Sequence, residues 1–340
     1  MNHQELTAIA QAMVAKHKGI LAADESTSTI GKRFNGIKIE STEENRRTYR
    51  ELLFTTPGAS DYISGVILYD ETIHQKTKDG VPFPAYLTKL GILPGIKVDT
   101  GAKPLAGAPG ETITEGLDGL RERLAAYHAL GARFAKWRAV IDIGAGIPSA
   151  YAIEANAAAL ARYAALCQEA NIVPIVEPEV LMDGAHTIER CEEVTSATLA
   201  TVFDHLFAAK VFLEGIVLKP NMIVPGKKSG QKVTPEQVAA ATLRVLKRHV
   251  PSAVPGIAFL SGGQSSVDAT HHLNLINCSG PLPWPVTFSY GRALQDNALL
   301  AWSGQAASFG LGQAALFKRA KLNGLASVGA YDGALENAAA

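Results

Sequence analysis

The sequence predicts a single-domain α/β protein, a closed (β/α)8 TIM barrel. Three observations carry that prediction. Eight short apolar, β-branched runs alternate with longer stretches of helical periodicity, the pattern of a parallel sheet with crossover helices. Several runs are apolar on both faces, as in Gly215-Ile216-Val217-Leu218, which suits strands covered on both sides. Charged residues recur at the C-terminal ends of the runs, where barrel enzymes keep their chemistry.

Taken in order, residues 6–14 are apolar, preceded by Glu5, and followed by no small-residue cleavage site, so they read as an amphipathic first helix ending near Gly19. The predicted strands follow at 19–24, 63–69, 95–99, 133–140, 173–178, 215–219, 256–260 and 286–290. Between them, 117–130 has helical spacing with Gly131 as its stop, and 152–170 is rich in Ala and Leu with Asn171 at its end. Thr234-Pro235-Glu236 opens a further helix with a cap, a proline at the first position and an acid in the first turn. Extra loops are expected around 37–43 and 79–88. The barrel is expected to occupy residues 1–323, leaving a tail at 324–340 whose alanine-rich composition implies mobility. An open doubly wound sheet would need a glycine-rich phosphate turn after an early strand. Gly310-Leu311-Gly312 has dinucleotide-motif spacing, but it follows a helical stretch near the C-terminus.

Composition narrows the function. The 340 residues carry 32 acids and 32 bases, which favours neither nucleic acid nor a membrane surface as partner. Three scattered cysteines, Cys167, Cys191 and Cys278, form no CxxC or disulfide framework, and no run is long enough to span a bilayer. A cytoplasmic protein is expected, with no metal and no cofactor. The nine histidines avoid the predicted strand ends: His271 and His272 fall in a helix and His186 in a loop, so a zinc-dependent mechanism lacks ligands.

Charges stand where a barrel core should be apolar. Residues two apart in a strand share a face, which pairs Lys97 with Asp99, Lys136 with Arg138 and Glu177 with Glu179. Asp24 and Lys219 each close an apolar run. So dense a set must be mutually compensated, because an unpaired buried charge is expensive. Lys219 has the most apolar setting. Burial and the neighbouring cation Lys136 both favour its neutral amine, which can attack a ketone to form an imine. Glu177 is placed to move the protons that imine formation requires.

Phosphate recognition has candidates at Leu260-Ser261-Gly262-Gly263-Gln264 after the seventh run, and at Tyr290-Gly291-Arg292 after the eighth. A second anion site is expected around Ser26, Lys32, Arg33 and Lys97. Lys227, Lys228 and Lys232 read as a solvated loop.

At these residues the sequence resembles class I fructose-bisphosphate aldolase. The matching segments are Gly-Ile-Leu-Ala-Ala-Asp-Glu-Ser-Thr at 19–27, Gly-Ile-Lys-Val-Asp at 95–99 and Phe-Ala-Lys-Trp-Arg at 134–138. They continue with Val-Pro-Ile-Val-Glu-Pro-Glu at 173–179, Leu-Lys-Pro-Asn-Met at 218–222, Phe-Leu-Ser-Gly-Gly-Gln at 259–264 and Thr-Phe-Ser-Tyr-Gly-Arg-Ala-Leu-Gln at 287–295. The resemblance implies reversible cleavage of fructose 1,6-bisphosphate, with Lys219 as Schiff-base lysine and Glu177 as its acid–base partner. It implies that Asp24 acts in carbon–carbon cleavage, that Lys136 assists the imine, and that Arg138 and Glu179 orient the cluster. Ser261, Gly262, Gly263, Ser289, Gly291 and Arg292 would hold the C1 phosphate; Ser26, Arg33 and Lys97 would serve the other end. A metal-free homotetramer is implied. Two departures stand out: the last tyrosine is Tyr331 and not the terminal residue, and Ser28 stands where many members have glycine. Another Schiff-base lyase or transaldolase would share this chemistry. A silent barrel scaffold would be expected to show gaps in the charged set, and none of its members is missing.

Overall fold

The computed structural model describes residues 1–337. Those residues hold ten strands: β1 (Gly19–Ala22), β2 (Ile63–Leu68), β3 (Leu93–Lys97), β4 (Gly101–Pro104), β5 (Thr112–Glu115), β6 (Phe134–Ile141), β7 (Val173–Val180), β8 (Val217–Leu218), β9 (Ile257–Phe259) and β10 (Val286–Tyr290). Eight of them pair in parallel and close in the order β1-β10-β9-β8-β7-β6-β3-β2, the predicted (β/α)8 barrel. The remaining two, β4 and β5, form an antiparallel hairpin outside the barrel, which no apolar run announces.

The helices are α1 (His3–Met13), α2 (Thr27–Gly36), α3 (Glu43–Phe54), α4 (Asp70–Ile73), α5 (Phe83–Lys89), α6 (Leu120–Ala129), α7 (Ala150–Glu169), α8 (Ile188–Ala208), α9 (Pro235–His249), α10 (Ser266–Cys278), α11 (Arg292–Trp302) and α12 (Phe309–Ala326). The predicted start of α9 is a full capping box, with Thr234 and Gln237 satisfying each other's backbone N–H. The loop expected at 79–88 is largely α5, with Pro84 tolerated in the first turn because no intrahelical donor is needed there. Gly310 and Gly312 lie inside α12, where Gly312 packs against Leu52 and Trp302, so the dinucleotide spacing is incidental.

The strand expected at 215–219 is the largest departure. Gly215 ends a 3-10 turn, β8 is two residues long, and Lys219 lies just past it. Pro220 has no N–H to continue the ladder. The Lys219 N–H still donates to Val176 O at 2.8 Å, so its backbone stays moored to β7.

One end of the barrel is apolar and sealed. Phe134 points inward from β6, and its ring fills space left by two glycines: a Cβ at Gly95 would stand 2.2 Å from it, and one at Gly65 2.9 Å. Leu6, Ala10, Met13 and Val14 of α1 and the turn after it pack onto Ile20, Phe134, Val173, Ile175, Val217 and Ala258. Further along β6, Trp137 points outward onto Tyr163 of α7 at 5.6 Å between ring centroids, while Lys136 and Arg138 face in. The charges therefore gather at the opposite, C-terminal mouth.

Beyond residue 323, α12 continues to Ala326, and Tyr331 is buried with its N–H donating to Asn274 Oδ1 at 3.0 Å. The Tyr331 hydroxyl donates to Glu336 Oε1 at 2.8 Å, and the buried Arg319 donates to both oxygens of Glu336 at 2.7 and 2.6 Å. Residues 338–340 of the expected tail lie outside the described residues. Cys167 and Cys191 are buried free thiols, and Cys278 is an exposed one. Among the described residues no helix is long and apolar enough to cross a membrane.

Candidate active site

Alternation along β6 and β7 sends Lys136, Arg138, Glu177 and Glu179 into the barrel mouth from two adjacent strands. Asp24 follows β1, Lys97 ends β3 and Lys219 follows β8. Together they line a cavity of about 510 Å³, closed on its far side by Leu260, Ser261, Gly262, Ser289, Gly291 and Arg292. Of the fifteen residues to which the resemblance gives catalytic or phosphate-binding roles, all but Gly263 line this one cavity, and Lys32 lines it too; Gly263 directly follows the lining residue Gly262.

The cluster is compensated, as its density required. Glu177 bridges two lysines: Oε1 lies 3.2 Å from Lys219 Nζ and Oε2 lies 3.6 Å from Lys136 Nζ. Lys136 also meets Asp24 Oδ2 at 2.6 Å. Lys219, Glu177 and Lys136 are each at most 4% exposed, so these charges interact with little screening by water. Burial opposes ionisation of Asp24, but Lys136 and then Lys219 outweigh it and hold the carboxyl well below the usual range. Burial likewise opposes the charge on Lys136, yet Asp24 and Glu177 raise its pKa well above an ordinary lysine. Lys136 is thus the fixed cation of the pair. Arg138 pairs with Glu179 in a short ion pair, and its pKa is raised by Glu179 against the pull of burial.

Lys97 is occupied within its own strand end, with Nζ 2.8 Å from both the carboxylate and the carbonyl of Asp99. Ser26 caps α2, accepting from the Thr29 N–H at 3.4 Å, and its hydroxyl lies 3.0 Å from that of Ser28. Among the described residues no group of three His, Cys, Asp or Glu side chains is arranged to hold a metal ion.

A model of the family described as fructose-bisphosphate aldolase class-I matches residues 5–340. The chain belongs to the class-I fructose-bisphosphate aldolase family. It is a lyase that cleaves fructose 1,6-bisphosphate reversibly to dihydroxyacetone phosphate and glyceraldehyde 3-phosphate. Among its relatives, a probable fructose-bisphosphate aldolase class 1 of Xanthomonas campestris is 60% identical, over 98% of this chain and 100% of that one. A cytosolic fructose-bisphosphate aldolase of Arabidopsis thaliana is 56% identical over 97% of this chain and 84% of its own. The structure of Plasmodium falciparum fructose-bisphosphate aldolase in complex with TRAP and a small-molecule inhibitor superposes with a TM-score of 0.96. It is 50% identical, covering 97% of this chain and 96% of that one.

Sequence reasoning missed two lining residues of this aldolase, Glu25 and Thr29. Glu25 follows Asp24 and so falls out of phase with the inward face; only its place within the Asp-Glu-Ser segment marked it. It is buried between Arg33 and Arg50, at 2.7 Å from each. Gln295 donates to Glu25 Oε1 at 2.9 Å and to Ala22 O at 2.6 Å, which ties the pair to the end of β1. Arg33, expected at the second anion site, is therefore held inward by Glu25.

Burial opposes ionisation of Glu25, but Arg50 and then Arg33 outweigh it, and its pKa falls below the usual 4.5. A lowered folded value means its stabilisation is whole above about pH 4.5 and is lost as pH falls through the folded pKa. Asp24 has the same sign. Glu25→Gln is expected to cost ~3 kcal/mol at pH 7, since it strands two buried guanidinium groups. It is also expected to flatten the acid limb of the stability curve. Urea unfolding from pH 7 to pH 3 measures both, and a variant as stable as wild type at pH 7 would show that the arginines find other partners.

Proposed function

We propose that Lys219 carries the covalent step of this aldolase and that Glu177 serves as its acid and base. The observation behind the assignment is the 3.2 Å contact between Lys219 Nζ and Glu177 Oε1 at the buried foot of the cavity. Glu177 takes up the proton that Lys219 releases as its amine attacks the C2 ketone, and returns it to the departing oxygen as the carbinolamine loses water. Lys136 remains protonated beside it and stabilises negative charge developing on the oxygen. Asp24 faces the cavity just past β1 and orients the C4 hydroxyl, whose proton passes to Glu177 as the C3–C4 electron pair moves into the iminium. Arg138 and Glu179 orient the cluster from one side.

The C1 phosphate is assigned to Ser261, Gly262, Gly263, Ser289, Gly291 and Arg292. Support comes from the positive φ of Gly262 and Gly263, +58° and +81°, which lets consecutive backbone N–H groups converge on an anion. The buried Ser289 hydroxyl, which has no hydrogen-bond partner among the described residues, adds to it. Ser26, Arg33 and Lys97 are assigned to the opposite phosphate. We place this enzyme in the cytoplasm and read it as a homotetramer, both on the family resemblance.

Incubation with fructose 1,6-bisphosphate followed by borohydride, in the presence of a chelator, tests the covalent assignment. A single reduced adduct mapped to Lys219 by peptide mass spectrometry is the expected result. An adduct on another lysine, or cleavage abolished by the chelator with no adduct, would overturn it.

A further inference from the structure

Lys227 is exposed, as expected of its loop, but it is not loosely held. Its backbone is fixed by a seam between two loops beside the cavity: Lys227 N–H donates to Met182 O at 2.7 Å, Lys228 N–H to Gly184 O at 2.9 Å and Gly226 N–H to His186 O at 2.8 Å. The seam is tight, since a Cβ on Gly226 would stand 2.3 Å from Gly184 O. From this platform the Lys227 side chain reaches over the glycine turn after β9. A Cβ on Gly263 would lie 2.6 Å from Lys227 Nζ and 3.1 Å from an Arg292 Nη2. Two cations thus converge on one glycine whose left-handed backbone faces a proposed anion site. Among the described residues Lys227 pairs with a single carboxylate, Asp183 at 3.0 Å, and that pair is well exposed. An exposed pair holds its lysine weakly enough to exchange it.

We propose that Lys227 is a second cation of the C1-phosphate site, held over the Gly262-Gly263 turn by Asp183 and transferred to the phosphate when substrate binds. This rests on the assignment of Arg292 and the glycine turn to that phosphate. The ammonium of Lys227 makes one charge-assisted hydrogen bond from the side opposite Arg292. It touches no reacting atom, so it sets affinity for the phosphate and not the rate of the chemical step.

The test compares Lys227→Gln, Lys227→Arg, Lys228→Gln and Arg292→Ala, each with fructose 1,6-bisphosphate and with fructose 1-phosphate. Lys227→Gln is expected to raise KM about three- to tenfold for both substrates with kcat little changed. Lys227→Arg should restore KM, the neighbouring Lys228→Gln should leave it unchanged, and high salt should shrink the effect. An unchanged KM for Lys227→Gln, with Arg292→Ala impaired, overturns the role of Lys227 alone. An effect confined to the bisphosphate overturns it too, because Lys227 would then serve the other end. Unchanged KM in Arg292→Ala as well would remove the phosphate assignment beneath the inference.

Discussion

Lys219→Met is expected to lower fructose 1,6-bisphosphate cleavage by about four orders of magnitude or more, and to leave the fold intact. The loss is large because no other amine can take over. Lys136 is the nearest, but its Nζ is 2.6 Å from Asp24, and a lysine kept protonated that firmly is no nucleophile. The fold should survive because Glu177 keeps Lys136 at 3.6 Å and is not left as a lone buried charge. Methionine matches the stem in length and suits a cavity whose lining also includes the apolar Ala22 and Leu260. A coupled rate assay, the borohydride experiment and a thermal melt check the three parts. A variant that still cleaves at more than about a hundredth of the wild-type rate would show that the imine forms elsewhere.

The barrel was legible because several of its strands are apolar on both faces, and a run such as Ile216-Val217-Leu218 has few other places to go. The hairpin of β4 and β5 was not. Gly101–Pro104 and Thr112–Glu115 are polar, lie outside the barrel wall and owe their pairing to each other. The inward charges could be read from two-residue spacing, since a barrel strand has only two faces. Their partners could not be read, because register exists only once the strands are aligned. Arg138 stands opposite Glu177 in the ladder, yet its guanidinium turns to Glu179. Glu177 is thereby left for the two lysines. Lys227 was illegible for a different reason: it lies in a loop with no period, and its position depends on backbone contacts to residues 182–186 far from it in sequence.

Asp24→Asn is expected to separate imine formation from carbon–carbon cleavage. The variant should still trap dihydroxyacetone phosphate on Lys219 with borohydride, because Lys219 and Glu177 remain 3.2 Å apart and neither depends on Asp24 for its place. Cleavage of the bisphosphate should fall by about 10²–10³, the range for losing one preorganised electrostatic contact at the reacting centre. The physical point is what kind of partner Asp24 is. A carboxylate held so far below its usual pKa remains ionised at any working pH and is a weak base. Its contribution is then a fixed negative charge and a hydrogen-bond acceptor for the C4 hydroxyl, and the acid limb of the wild-type rate profile does not belong to it. The asparagine retains an acceptor oxygen and loses the charge, so a deep drop assigns the effect to charge. Stability should fall as well, by ~3 kcal/mol, because Lys136 loses its 2.6 Å partner and must lean on Glu177 alone. Equal losses in trapping and cleavage would mean that Asp24 acts only through Lys136. A loss confined to cleavage would put Asp24 at the bond that breaks.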